Sequence, residues 1–323
     1  MEDNLVCVVI SCWNRLDILK QNIDAVLIQD YENFKIVVVD NNSTDGTINY
    51  LYDLKDTYGD KVECEIMEHS GFTAMQTLNI GFDTARELGA RYILVLDDDC
   101  ILQETNSISK LVETINIKPD IGMVGCNVVG PDSTIPQADF KFAMNKHIDH
   151  KNIPKLPFRV FDYIGACALY DADKFENYDE SFNIYWNEAD TALNFLTRGY
   201  DVLYEPRISP VHLYSTKQRD VKKGIYYYFK NGNTVVNRYL TFKNRFIITL
   251  IRIPLLLVWV SSFKDRKLLA KTFLSSFPAL VQIFYMPSRK KPVNYSIQDD
   301  INQAYTSWYF RKFYEWIFGY PVV

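Results

Sequence analysis

Arg91-Tyr92-Ile93-Leu94-Val95-Leu96-Asp97-Asp98-Asp99-Cys100-Ile101 is the stretch that decides the fold of this chain. Arg91 to Leu96 is six residues of strand-forming, mostly apolar chain and reads as a strand. It delivers three adjacent carboxylates. At contact distance these raise one another's pKa and repel, so a partner cation is expected. Hard oxygen donors suit Mg²⁺ or Mn²⁺, ions that commonly hold a few carboxylates, water and a substrate's phosphates. The plain alternative for this segment alone is a solvated acidic turn closing a strand.

Upstream, the same pattern repeats. Leu5 to Ser11, Lys35 to Val39 and Val62 to Met67 read as buried strands. Between them lie helical spacings: Leu16, Leu19, Ile23 and Val26/Leu27, then about 46–57, then Phe72, Met75, Leu78, Phe82 and Ala85 with Gly89 as a stop. Ser43, Thr44 or Asp45 can accept from the first N–H groups of the second helix. Four strands separated by helices predict an α/β, mainly parallel, doubly wound sheet that binds ligands at its carboxyl ends. Asp40 and Asp97 to Asp99 both fall at such ends.

Downstream, 106–116 reads as a helix and Gly122 to Val129 as a strand. Gly130 to Arg159, polar and proline-bearing, reads as a long surface loop. A strand is expected over Tyr163 to Tyr170; Phe182 to Asp190 then enters a helix through Leu193, Phe195 and Leu196 that ends near Gly199, and a strand over Asp201 to Glu205 is followed by Ser209-Pro210-Val211-His212.

The 323 residues are 48% hydrophobic and 23% charged, enough for one large domain with an appendage or for two domains. The net charge of -5 hides a split after Thr216. Residues 1–216 carry 17 Lys+Arg against 35 Asp+Glu, net -18; residues 217–323 carry 18 against 5, net +13. The acidic body argues against nucleic acid as a partner, while the basic, aromatic-rich tail suits anionic lipid or phosphate. Six scattered cysteines without a C-x-x-C pair read as reduced thiols. The opening Met1-Glu2-Asp3-Asn4 has no signal-peptide pattern, so the expected location is cytoplasmic.

Past Thr216, a helix with Ile225, Phe229, Val236 and Leu240 carries tyrosines at 226–228. Phe246 to Phe263 follows, with Arg252 and Pro254 near its middle. As a helix it would reach only about 27 Å, which disfavours a membrane span. A stretch lying in the membrane interface fits its Lys/Arg and Trp/Tyr/Phe content best; helix packing or a homo-oligomer contact is the other reading. The expected division is therefore 1–216 as a catalytic domain and 217–323 as a helical region.

Four features together resemble family 2 glycosyltransferases, which have the GT-A fold: Val8 to Arg15, Val37 to Gly46, Leu96-Asp97-Asp98-Asp99, and Asn187-Glu188-Ala189-Asp190 with His212 downstream. The resemblance implies an inverting, metal-dependent transfer of sugar from a UDP- or dTDP-sugar to a glycan or lipid-linked acceptor. It places Ser11, Asn14 and Arg15 near the nucleotide, with Asp40 accepting from the imide N–H of a uracil or thymine base and an amide of Asn41 or Asn42 as a less base-selective contact. The family's DxD motif falls on Asp97 and Asp99, with Asp99 a direct ligand of Mn²⁺ or Mg²⁺ and Asp98 close to the ribose or donor sugar. His69 lies where the family approaches base and ribose, and His212 where several members join the metal or diphosphate. The usual Glu-Asp-x-Asp base pattern reads Asn187-Glu188-Ala189-Asp190 here, which puts the base on Glu188 and leaves Asp190 as its competitor. Within the family the chain leans towards bacterial rhamnosyl- or galactofuranosyl-transferases of surface polysaccharide synthesis, placed peripherally on the inner face of the plasma membrane.

Other classes fit less well. A phosphatase using Asp-x-Asp needs its nucleophile after the first strand, and a dinucleotide-dependent dehydrogenase needs a Gly-x-Gly-x-x-Gly that is absent there. The non-enzymatic competitor is a nucleotide-sugar-binding or assembly subunit without turnover.

Overall fold

In the computed structural model, residues 4–131, 153–182, 184–213 and 221–261 are described, with scattered residues between 265 and 281. The first four strands are β1 (Val6–Cys12), β2 (Phe34–Asp40), β3 (Val62–Ile66) and β4 (Tyr92–Leu96), alternating with α1 (Leu16–Leu27), α2 (Thr47–Tyr58) and α3 (Ala74–Glu87). All pair in parallel: β3 with β2, β2 with β1, β1 with β4. The continuous apolar runs are explained by cover on both faces. Val6, Val8 and Ile10 of β1 join Leu19, Ile23 and Val26 of α1 and Leu51 and Leu54 of α2 in one core. On the other face α3 comes so close that a Cβ on Gly81 would meet Val9 Cγ1 at 2.5 Å and Val39 Cγ2 at 3.1 Å. Thr73 and Gln76 start α3 with a reciprocal capping box.

Next come β5 (Cys100–Ile101), α4 (Ser107–Ile115), β6 (Ile121–Cys126), β7 (Phe158–Arg159), β8 (Cys167–Asp171), α5 (Asn187–Thr197), β9 (Asp201–Glu205) and β10 (Val211–His212). The large sheet runs β3-β2-β1-β4-β8-β6-β9-β7. β8 lies antiparallel to both β4 and β6, so the parallel order breaks beside the acidic triplet. The strand expected at 163–170 begins only at Cys167, and β6 ends at Cys126, although Val129 still bridges to Val211. Most of the loop expected over 130–159 lies outside the described residues.

Two helices follow, α6 (Val221–Tyr239) and α7 (Phe242–Ser261). Among the described residues no helix is long and apolar enough to cross a membrane. The chain divides into two compact units: Met1–Asn183 with Gly199–Ser215, and Ile184–Arg198 with Thr216–Val323. The base motif at 187–190 thus groups with the C-terminal helices, whereas the triplet and His212 belong to the first unit.

Candidate active site

The triplet sits on a turn tied down at both ends. Asp97 N–H donates to Ala166 O (2.9 Å), Cys100 N–H donates back to Asp97 O (2.9 Å), and Asn22 of α1 donates its amide to the carbonyls of Asp97 and Cys100. β5 then pairs with β10, setting Cys100 opposite His212, and Leu213 N–H donates to Asp99 O (2.7 Å). This short ladder carries the imidazole to the triplet. His212 Nε2 lies 3.0 Å from Asp99 Oδ1 and 3.9 Å from Asp97 Oδ2.

Among the described residues Asp97, Asp99 and His212 form a group whose donor atoms all lie within 4.8 Å of one another. An octahedral ion about 2.1 Å from each ligand separates adjacent ligands by about 3.0 Å, the spacing already present between Asp99 and His212. The donor set of two carboxylates and an imidazole fits Mn²⁺ or Mg²⁺. His212 Nε2 can donate to Asp99 or lend its lone pair to a cation, but not both.

On the other side, Arg15 Nη1 bridges Asp98 Oδ1 (3.0 Å) and Asp99 Oδ2 (2.7 Å). Burial would raise the Asp99 carboxyl, but the His212 contact and the Arg15 guanidinium outweigh it and hold the group below its ordinary value. At Asp98 burial wins: despite Arg15, and helped by Asp99 and Asp97, its carboxyl is pushed up to about 7. Two adjacent carboxyls are thereby driven in opposite directions.

The neighbouring strand ends are knotted together. Asn14, at φ 53°, donates its backbone N–H to Ser43 Oγ (2.8 Å) and accepts Thr44 N–H (2.7 Å) on its side-chain oxygen. Asp45 accepts from Leu16 N–H (3.0 Å) and Thr47 N–H (3.1 Å), so one carboxylate serves the first turns of both α1 and α2. Ser11 shares a hydrogen bond with Thr77 of α3 (2.7 Å). Asn42, also left-handed, donates to Glu68 O, and the His69 ring lies 5.0 Å from that of Phe72. Asp40 has no exposed surface; its oxygens take the Ser43 N–H and hydroxyl (2.7 and 2.6 Å) and face the Cys12 thiol (3.4 Å). It therefore holds the turn after β2.

In the second unit Glu188 and Asp190 occupy the first turn of α5, where the helix dipole favours carboxylates. Ahead of them Tyr185 and Trp186 both adopt left-handed backbone, φ 64° and 71°. Such conformations cost bulky residues on the order of 1–3 kcal/mol each and persist only when neighbours enforce them. Asp190 pairs with Arg238 of α6 at 2.9 Å.

Residues 7–179, more than half the chain, match the family described as Glycosyl transferase family 2. The chain belongs to glycosyl transferase family 2. Its relatives include the O-antigen biosynthesis protein RfbC of Myxococcus xanthus, 21% identical over 66% of this chain but only 18% of that protein. The chain thus spans a small part of that relative's length. Similar solved structures are GalNAc-T7 with UDP, GalNAc and Mn²⁺ (TM-score 0.58, 16% identity, 73% of this chain, 49% of that one) and the mannosyltransferase PcManGT of Pyrobaculum calidifontis with GDP-Man and Mn²⁺ (TM-score 0.52, 14% identity, 96% and 82%). At these identities the likeness shows the fold, which is GT-A.

Within this family 2 chain the structure brings Arg15, Asp97, Asp98, Asp99 and His212 into one cluster and Ser11, Asn14, Asp40 and Asn42 onto the adjoining strand ends. Sequence reading overlooked Asn231 and Tyr228 of α6, which hold the turn before α5 through its carbonyls and rings. The sequence carries no clear signal for Asn231, which stands among Lys230, Gly232, Asn233 and Thr234 in a mixed helix; its burial is visible only in the structure.

Proposed function

We propose that this chain catalyses the inverting transfer of a sugar from a UDP- or dTDP-sugar to a hydroxyl of a glycan or lipid-linked acceptor in surface polysaccharide synthesis. The observation that carries the reading is the Asp97, Asp99 and His212 donor set at the carboxyl end of β4. Mn²⁺ or Mg²⁺ held there supplies charge stabilisation for a nucleoside diphosphate leaving group. The names of the relatives, O-antigen biosynthesis among them, support a polysaccharide product, and the UDP, GDP-Man and Mn²⁺ in the solved neighbours support a nucleotide-sugar donor. Because those neighbours include both uridine and guanosine nucleotides, the fold alone does not choose the base.

Ser11, Asn14, Asn42 and His69 are assigned to the nucleoside. Asp40 reaches a base only if the Ser43 turn yields. Arg15 adds fixed positive charge beside Asp98 and Asp99, and Asp98 faces the ribose or donor sugar. Glu188 takes the proton of the acceptor hydroxyl as its oxygen attacks the anomeric carbon and the bond to the diphosphate breaks.

The tail is assigned to an anionic membrane surface, at the inner face of the plasma membrane where a lipid-linked acceptor would be met. Two observations favour this: the net charge of +13 over 217–323, and the exposed stripe Phe242, Phe246, Leu250, Pro254 and Val258 at four-residue steps along α7.

Nucleoside diphosphate release from a panel of UDP- and dTDP-sugars, with Mn²⁺ and glycan acceptors, tests the reading. Glu188→Gln is expected to lose about a hundredfold or more. Equal release from both proteins removes Glu188 as base; none from either favours a non-catalytic assembly subunit.

A further inference from the structure

We infer that Asn231 and Arg238 of α6 are positioning residues for catalysis, holding the turn from which Glu188 projects. The inference rests on the reading of Glu188 as base. Asn231 Nδ2 donates to Ile184 O (2.8 Å) and to Tyr185 O (3.1 Å), and Arg238 Nη1 donates to Asp190 Oδ1 (2.9 Å). About one turn before Asn231, the Tyr228 ring packs on those of Tyr185 (5.9 Å) and Trp186 (5.4 Å).

The three α6 residues act as one stripe. At 100° per residue, positions 228, 231 and 238 project within about 80° of one another, so a single helix face makes every one of these contacts. Their targets are the two left-handed aromatic residues and the turn that follows. Trp186 O accepts the Asp190 N–H (2.9 Å), which couples the direction of the 185–186 backbone to the first turn of α5. Glu188 lies inside that turn. A chain needing only a bend here would use glycine, which adopts positive φ freely. Two bulky residues kept in that conformation instead, with a buried amide donating to the carbonyls of Ile184 and Tyr185 just ahead of Trp186, mark a geometry that the surroundings impose. Neither role was visible from the base motif itself, because α6 begins more than twenty residues beyond α5.

Two measurements on the full chain test this. In the first, hydrogen exchange of peptides covering 184–191 is compared between wild type and Asn231→Ala. Exchange there is expected to quicken about tenfold while peptides over β1 to β4 stay unchanged; equal exchange overturns the proposal. In the second, nucleoside diphosphate release is followed for Asn231→Ala, Arg238→Leu, Arg238→Lys and Glu188→Gln. Misplacing a catalytic group by about an ångström costs up to a hundredfold, so kcat should fall about tenfold to a hundredfold in Asn231→Ala and Arg238→Leu. KM for the donor should hold within about twofold, and Arg238→Lys should recover much of the loss, since an ammonium retains the charge. An unchanged kcat, or a parallel loss of donor binding and of melting temperature, overturns positioning in favour of a merely structural contact. Full release from Glu188→Gln sinks the base assignment instead, and the exchange result still decides whether α6 holds the turn.

Discussion

At Asp99 one carboxylate meets two side chains: Oδ1 faces the His212 imidazole and Oδ2 the Arg15 guanidinium. Asparagine at this position keeps the shape but loses the charge and one acceptor oxygen. A ligand that binds only the folded state raises stability by about 2.7 kcal/mol at a hundredfold excess over Kd. Wild-type protein should therefore melt several degrees higher in saturating Mn²⁺ than in chelator, and Asp99→Asn or His212→Ala should abolish the difference in calorimetry. A full metal-dependent shift in both variants would remove this donor set. At this scale the grouping of Asp97 and Asp99 with His212 was the part anticipated from the sequence, because a carboxylate triplet after a strand draws cationic or metal-type partners. The Arg15 bridge and the burial of Asp40 were not, since each depends on how loops at two strand ends close on each other.

The buried ion pairs of the sheet belong to the next scale. Asp171 ends β8 opposite Tyr92 and is almost wholly buried. Arg91 grips it with two nitrogens (2.5 and 2.8 Å) and Lys174 adds a third contact (2.7 Å). Burial alone would raise its carboxyl, but these hydrogen bonds and charges more than compensate and lower it; Glu205, held by Arg207 and Thr114, is lowered in the same way. A depressed folded-state pKa contributes stability that is complete above the unfolded value, about 4, and is lost as pH falls through the folded one. Asp171→Asn should cost about 2 kcal/mol near pH 7 by chemical denaturation, and the gap should close as the pH is taken well below 4. A gap independent of pH would refute the linkage. The parallel strands were readable as continuous apolar runs and the helices between them from apolar residues at steps of three and four. The reversal at β8 was not, as direction leaves no trace in an apolar run, and the two-residue strands β5 and β10 are too short to show any pattern.

For the molecule as a whole the charge split is the leading feature, with -18 up to Thr216 and +13 from Lys217 on. If the basic part meets lipid, sedimentation with anionic vesicles should capture the protein and neutral vesicles should not. Capture should weaken towards 1 M salt, where the screening length shrinks from about 10 Å to about 3 Å. Phe246→Glu with Leu250→Glu should weaken it at every salt concentration by removing apolar insertion; equal capture by neutral and anionic vesicles would contradict a charge-led contact. The pairing of β5 with β10 has a consequence of another kind, in the order of synthesis. Asp99 and His212 stand more than a hundred residues apart in the chain yet face each other across two strands of two residues. A nascent chain that has emerged only as far as β9 carries all three aspartates and no imidazole beside them. Capture of an ion by the full proposed donor set would require the last strand of the first unit to dock, a contact of long sequence separation. If the proposed site binds an ion, its affinity reports that the first unit is complete, and a chain truncated before His212 should lose it.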